Sequence, residues 1–149
     1  MTEIRFYHLQ RKPLERALPE LLEKVLERGS RAVVMAASEE RVEALAGLLW
    51  TYDDRGFLPH GTARDGRAEH QPIWLTQGDE NPNGADVLIL TDGAETSALG
   101  DYSITCELFD GNDPDAVSAA RGRWTGYKEA GHDLTYWQQT ARGGWEKKA

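Results

Sequence analysis

Four side chains near the C-terminal end of the sequence have types and a spacing that suit them to bind a carboxylate beside an aromatic ring. Steps of four, three and four residues place them on one face of an α-helix: Val117, Arg121, Trp124 and Lys128. A planar guanidinium binds a carboxylate through two parallel hydrogen bonds, and a neighbouring indole supplies an apolar wall. We therefore expect a shallow pocket, formed by Arg121, Trp124 and Val117, for an aromatic residue next to a carboxylate.

A purely structural role is the alternative for the same residues. Aromatic residues at helical spacing usually belong to the core, and the stem of Arg121 then simply covers the ring of Trp124. If the pocket exists, one charge-assisted contact and one buried phenyl ring give about micromolar affinity for a peptide end, after the costs of association.

Strands and helices alternate along the sequence and supply the scaffold for this helix. Apolar and β-branched runs predict strands at 4–9, 31–37, 73–76, 87–91, 104–109 and 134–137. Helical spacing and capping residues predict helices over 14–26, 38–50 and 113–130. Pro19 is expected to kink the first helix or to mark its start.

The strands at 31–37 and 87–91 are apolar on both faces, as in a parallel sheet covered on both sides. The sequence thus predicts an α/β fold, a three-layer α/β/α sandwich with a largely parallel sheet. We expect one domain over residues 1–138 and a flexible C-terminal tail over 139–149.

Composition narrows the class of protein further. The chain has 149 residues, a formal net charge of −8 and a single cysteine, Cys106. The negative charge argues against strong direct binding of nucleic acid, whose affinity comes mainly from cations. One cysteine forms neither an internal disulfide nor a thiolate metal cage. With no membrane-spanning run or signal peptide in view, we expect a cytoplasmic protein.

The sequence offers little that is typical of catalysis. The turn after the first strand, Gln10-Arg11-Lys12-Pro13, has no glycine that lets a phosphate approach the backbone. No two of the four histidines have a metal-binding helical spacing: His8, His60, His70 and His132. We therefore expect no catalytic site, no metal and no cofactor. The alternative is a small nucleotide- or metal-dependent α/β enzyme that uses the strand-end loops near Asp92, in Thr91-Asp92-Gly93.

A second cluster of apolar and aromatic residues interrupts a polar, glycine-rich stretch. It consists of Trp50 and the segment Phe57, Leu58, Pro59 and His60. Such a cluster either meets a partner or anchors the loop to the core, and the sequence leaves both possibilities open.

These residues together resemble a known family. The pattern Arg121-x-Arg123-Trp124-x-x-Tyr127-x-x-x-Gly131-x-x-Leu134-x-Tyr136-Trp137, preceded by Phe6-Tyr7-His8-Leu9 and by Trp50 with Phe57-Leu58-Pro59-His60, is similar to the chi subunit of bacterial DNA polymerase III. The resemblance extends over essentially the whole chain in the same order.

The resemblance implies a non-catalytic accessory subunit of a DNA-directed DNA polymerase (nucleotidyltransferase) complex, within its clamp-loader part. It implies that Arg121 and Trp124 form a pocket for the acidic, Phe-ended C-terminal tail of single-stranded-DNA-binding protein, with Val117 and Lys128 on the same stripe. Some members carry lysine where Val117 stands, so Lys128 or Arg123 is expected to replace that charge. The cluster of Trp50, Phe57, Leu58, Pro59 and His60 is implied to bind psi or another clamp-loader subunit.

Overall fold

Eight strands form a single, mostly parallel sheet in the computed structural model, which describes residues 2–10, 12–52, 58–142 and 144–149. The strand order across the sheet is β3-β4-β2-β5-β6-β1-β7-β8, and only β8 runs antiparallel to its neighbour. The strands are β1 (Glu3–Leu9), β2 (Ala32–Met35), β3 (His60–Gly61), β4 (Ile73–Thr76), β5 (Val87–Leu90), β6 (Ile104–Asp110), β7 (Asp133–Gln139) and β8 (Trp145–Lys147).

Three α-helices connect these strands: α1 (Leu14–Glu27), α2 (Glu39–Thr51) and α3 (Pro114–Glu129). Two of them begin with the side-chain caps that the sequence predicts. The Ser38 hydroxyl accepts from the Arg41 backbone N–H at 3.1 Å, and the Asp113 carboxylate accepts from the Asp115 N–H at 3.0 Å. None of the described helices is both long and apolar enough to cross a membrane.

Pro19 lies inside α1, which begins well before it at Leu14. The proline therefore does not mark the start of the helix. Its ring is buried, and because proline has no backbone N–H it makes no hydrogen bond to the Glu15 carbonyl. The strong amphipathic pattern of leucines, with Leu18 and Leu22 fully buried, maintains the helix through this position.

Helices cover both faces of the mostly parallel sheet, which confirms the predicted α/β fold. Two helices lie on one face and one on the other. On one face, α1 and α2 pack on a large core that includes Tyr7, Leu9, Val34 and Ile89. The opposite face carries α3 over a smaller, mainly aromatic cluster. Strand β1 supplies both cores, because Phe6 points to α3 and Tyr7 to α1.

Part of the C-terminal segment over 139–149 belongs to the sheet. Residues Trp145–Lys147 form β8, which pairs antiparallel with β7 at the edge of the sheet. The ring of Trp145 packs edge-to-face on Tyr7, with centroids 4.9 Å apart. A three-residue strand with two charged residues carries no recognisable alternation in the sequence, so only its long-range pairing reveals it.

Candidate functional site

Helix α3 rests on the sheet through a narrow apolar stripe. Ala120 is its only fully buried residue among those described, and this small side chain allows a close approach to Ile4 and Phe6. Val117, Trp124 and Tyr127 are partly buried against the same cluster. Because so little of the helix is buried, most of its surface faces solvent.

Trp124 is held from two sides by aromatic rings of the sheet. Its indole packs edge-to-face on Phe6 of β1, with centroids 5.3 Å apart, and on Tyr136 of β7, at 5.9 Å. The side chain is only partly buried, so one part of the ring belongs to the core and another part faces outward. The structural role that the sequence left open therefore accounts for part of Trp124 but not for the whole residue.

The other residues of the predicted stripe share this surface. Arg121 and Lys128 are exposed, whereas Val117 is half-buried at the edge of the aromatic cluster. Neither cation forms an ion pair with a described carboxylate. The stripe thus combines two accessible positive charges with an apolar base.

His8 contacts the aromatic cluster beneath α3, and the sequence did not connect it with this surface. Its Nδ1 is hydrogen-bonded to the Tyr136 hydroxyl at 2.5 Å, and its ring packs edge-to-face on Phe109 at 5.2 Å. Burial lowers the pKa of His8, and the charge of Arg121 lowers it further. The alternation of β1, which places Phe6 and His8 on one face, is the signal that connects His8 to α3.

Arg123 points away from this surface and into a buried ion pair. Its Nε donates to Glu107 Oε2 at 2.7 Å, and the side chains are 13% and 2% exposed, respectively. Burial raises the pKa of Glu107, while Arg123 and the Tyr127 hydroxyl act in the opposite direction. Arg123 is therefore engaged in the fold, whereas Lys128, the other residue expected to supply a positive charge here, is exposed.

The second predicted cluster divides into exposed and buried members. Trp50, at the end of α2, is 63% exposed and packs edge-to-face on His60, with centroids 4.9 Å apart. Leu58 is 2% exposed and belongs to the core, so it has the anchoring role that the sequence left open. Pro59 is half-buried, and Phe57 lies outside the described residues.

The ring of His60 packs against the indole of Trp50. His60 is buried, and its Nδ1 lies 2.7 Å from the Leu58 carbonyl oxygen. The buried side chains of Leu58 and His60 hold this segment in place, while Trp50 projects from the surface. Among the described residues, Trp50 is the one large apolar side chain with high exposure.

The strand-end loops near Asp92 line a cleft of about 760 Å³ at the carboxyl ends of the parallel strands. Asp92 itself has a left-handed backbone, with φ of 55°, and its carboxylate accepts from Arg41 Nε at 3.0 Å. Arg41 also donates to Glu15 at 3.1 Å. This ion-pair network neutralises Asp92, and no group of three metal-ligating side chains occurs in the described part of the chain.

Comparison with protein families adds an independent observation. Residues 1–135 match a family described as DNA polymerase III chi subunit, HolC. A protein of Rickettsia prowazekii (strain Madrid E), named probable DNA polymerase III subunit chi, is 31% identical over 105 residues. That match covers 68% of this chain and 64% of the Rickettsia protein, so the chain spans less than two thirds of its relative.

A solved structure extends the comparison to the fold. The C-terminal domain of Saccharomyces cerevisiae Dbp5, determined with Gle1 and IP6, superimposes with a TM-score of 0.58. The superposition covers 91% of this chain and 90% of that domain, at 8% sequence identity. At this identity the likeness concerns the fold alone.

Proposed function

Because the chain belongs to the DNA polymerase III chi subunit family, we propose that it is a non-catalytic accessory subunit that connects the clamp-loader part of the polymerase to single-stranded-DNA-binding protein. In this proposal, the surface of α3 binds the acidic, Phe-ended C-terminal tail of that protein. The subunit then works in the cytoplasm and needs no cofactor, because its role is to bring two complexes together.

The observation that carries the proposal is the exposed guanidinium of Arg121 on the same stripe as the partly exposed indole of Trp124. The terminal carboxylate of the tail binds Arg121, while its phenyl ring packs against Trp124 and Val117. Lys128, one turn along the helix from Trp124, attracts the acidic residues that precede the phenylalanine.

Pre-organisation favours this binding mode. Phe6 and Tyr136 fix the indole of Trp124 before any peptide arrives. A rigid aromatic wall loses little conformational entropy on binding, which matters for a short peptide with few contacts. The net charge of −8 acts in the opposite direction and favours weak, reversible capture.

A retention assay on single-stranded DNA tests the proposal. DNA coated with intact single-stranded-DNA-binding protein is expected to retain the chain, whereas coating with the same protein lacking its C-terminal tail is not. Retention should weaken as salt rises, because charge contributes to the contact. Equal retention on the intact and truncated coats would contradict the proposal.

The surface around Trp50 is the proposed contact with psi or another clamp-loader subunit. Its support is the high exposure of one large aromatic residue, whose loss should leave the fold intact. Trp50→Ala is expected to abolish co-purification with the partner at unchanged stability, whereas Leu58→Ala should lower the free energy of unfolding by about 2–5 kcal/mol. Normal co-purification of Trp50→Ala would exclude this surface.

A further inference from the structure

A groove lies between α1 and strands β5, β6, β1, β7 and β8, on the opposite face of the sheet from Arg121 and Trp124. It encloses about 260 Å³, and its walls are mainly apolar and aromatic: Tyr7, Leu21, Val25, Leu108, Trp137 and Trp145. Both tryptophans are only partly buried, although each packs against the large core. This part of the core is therefore accessible from solvent.

Three cations surround the groove, and two of them have no ion-pair partner among the described residues. Arg5 is bound to Glu3 at 3.2 Å, whereas Lys24 and Arg28 are exposed and form no ion pair with a described carboxylate. Arg5 and Arg28 line the groove together with the buried Cys106.

The acidic residues of the rim are already engaged. Glu20 pairs with Lys12 at 2.9 Å. Asp86 accepts hydrogen bonds from the Ser30 hydroxyl at 3.0 Å and from the Arg31 backbone N–H at 3.1 Å. The donors to Asp86 are neutral and leave it charged, so the three cations and two carboxylates that line the groove give a net charge of +1, on a chain whose net charge is −8.

From these contacts we propose that the groove is a second docking site, which binds an acidic peptide segment of a partner protein through one large apolar side chain. The apolar side chain packs between Trp137, Trp145 and Leu21, and the flanking carboxylates meet Lys24 and Arg28. Sites for whole small-molecule ligands enclose about 300–1,000 Å³, so this groove suits a single side chain better than a nucleotide or cofactor.

This site requires an apolar anchor flanked by acidic residues, but it does not require a free C-terminus. That difference separates it from the proposed function of α3, where a terminal carboxylate binds Arg121. The two sites lie on opposite faces of the sheet, so each can be occupied without the other.

The five tryptophans give each surface its own reporter in a ¹⁵N-labelled sample. The probe is an aspartate-rich peptide with one internal phenylalanine, acetylated at its N-terminus and amidated at its C-terminus. Titration is expected to shift the indole signals of Trp137 and Trp145. The signal of Trp124 reports on α3, and buried Trp74 serves as the unperturbed reference.

Two variants that each remove one positive charge, one within α1 and one at its C-cap, show whether binding depends on the groove. Arg28→Ala is expected to weaken binding of the amidated probe about fivefold, the upper range for an exposed ion pair. Arg16→Ala removes the same charge from an exposed position of α1 outside the groove, and it should change the affinity less than about twofold.

Three results would overturn the second docking site. These are the absence of shifts at Trp137 and Trp145 at about millimolar probe, equal losses of affinity in Arg28→Ala and Arg16→Ala, or shifts confined to Trp124. If the amidated probe binds the groove while a Phe-ended acidic peptide leaves Trp124 unchanged, the docking site stands and the proposed function of α3 fails.

Discussion

The indole of Trp124 packs edge-to-face on the ring of Phe6, with centroids 5.3 Å apart and planes inclined by 68°. Phe6 is fully buried in the centre of β1, whereas Trp124 reaches from this contact to the surface of α3. One ring therefore connects the core to the stripe that carries Arg121. Trp124 therefore contributes to core packing and, in the proposed function, to peptide binding.

The first prediction concerns the packing of Trp124. Trp124→Ala should lower the free energy of unfolding by about 2 kcal/mol, less than the about 3–5 kcal/mol of a fully buried ring, because part of the indole is exposed. Trp124→Phe keeps an aromatic ring over Phe6 and should cost less than about 1.5 kcal/mol. Urea unfolding measures both values. Unchanged stability of Trp124→Ala would show that the indole does not pack on Phe6.

The second prediction concerns the buried pair of Arg123 and Glu107. Arg123→Ala leaves an unpaired carboxylate in the fold and should cost about 3–5 kcal/mol near pH 7. Burial already raises the pKa of Glu107 in the folded protein, and removal of Arg123 raises it further. The folded variant therefore binds a proton more readily than the unfolded chain does.

Stability of the Arg123→Ala variant should accordingly increase as the pH falls through the raised pKa of Glu107, where the carboxyl becomes neutral. Urea unfolding at about pH 7 and about pH 4.5 measures the difference, and Glu107→Gln in the same background should remove it. If Arg123→Ala lowers the free energy of unfolding equally at both pH values, the charge of Glu107 is not the cause of the lost stability.

The third prediction uses two glycines with opposite surroundings. A Cβ added at Gly111 would overlap the ring of His8 and lie 2.7 Å from the Leu9 carbonyl oxygen. Gly111→Ala should therefore displace His8 and destabilise the fold by about 1–3 kcal/mol. Gly126, inside α3, has open space where a methyl group would lie, and Gly126→Ala should stabilise by about 0.5–1 kcal/mol. Thermal unfolding of both variants checks the two signs, and stabilisation by Gly111→Ala would exclude the close contact with His8.

The fourth prediction is that peptide binding at Arg121 depends on pH through His8. Burial and Arg121 lower the pKa of His8, while Asp110 and a hydrogen bond to Gly111 raise it. A carboxylate bound at Arg121 offsets that positive charge, so the pKa of His8 should be higher in the complex. Affinity then increases as the pH falls, by about threefold for a rise of half a pKa unit.

Titrations at about pH 7.5 and about pH 5.5 measure this effect, since the interval spans the usual range of histidine. His8→Gln keeps a hydrogen-bonding group next to Tyr136 but does not titrate, so its affinity should be independent of pH over that interval. An equal pH dependence in His8→Gln would assign the effect to another group.

Local patterns were sufficient to predict most of the elements but not their long-range contacts. The caps of α2 and α3 and the doubly apolar strands β2 and β5 are encoded within a few neighbouring residues. Strands β3 and β8 are two and three residues long, and pairing with distant strands is what defines them. The helix pattern alone also did not show that Arg123 turns inward, because its partner Glu107 lies on β6.

In the candidate site, too, local patterns could be predicted from the sequence but long-range contacts could not. Helical spacing places Arg121, Trp124 and Lys128 on one stripe, whereas the contribution of His8 depends on the register of β1 next to β7. Leu58 and Trp50 look equivalent as apolar residues of one cluster in the sequence, yet one is buried and the other exposed. Burial is a property of the assembled core, and single-sequence patterns do not determine it.

Calorimetric titration with an acidic peptide that ends in phenylalanine probes the proposed role of Arg121 without any other component. We expect about micromolar affinity for the free carboxylate form, and a loss of about tenfold or more both on amidation of the peptide and in Arg121→Ala. Arg16→Ala, which removes the same charge from the other face, should bind like the unmodified chain. Equal affinity of Arg121→Ala and the unmodified chain for the free carboxylate form would show that α3 does not bind the peptide end through this guanidinium.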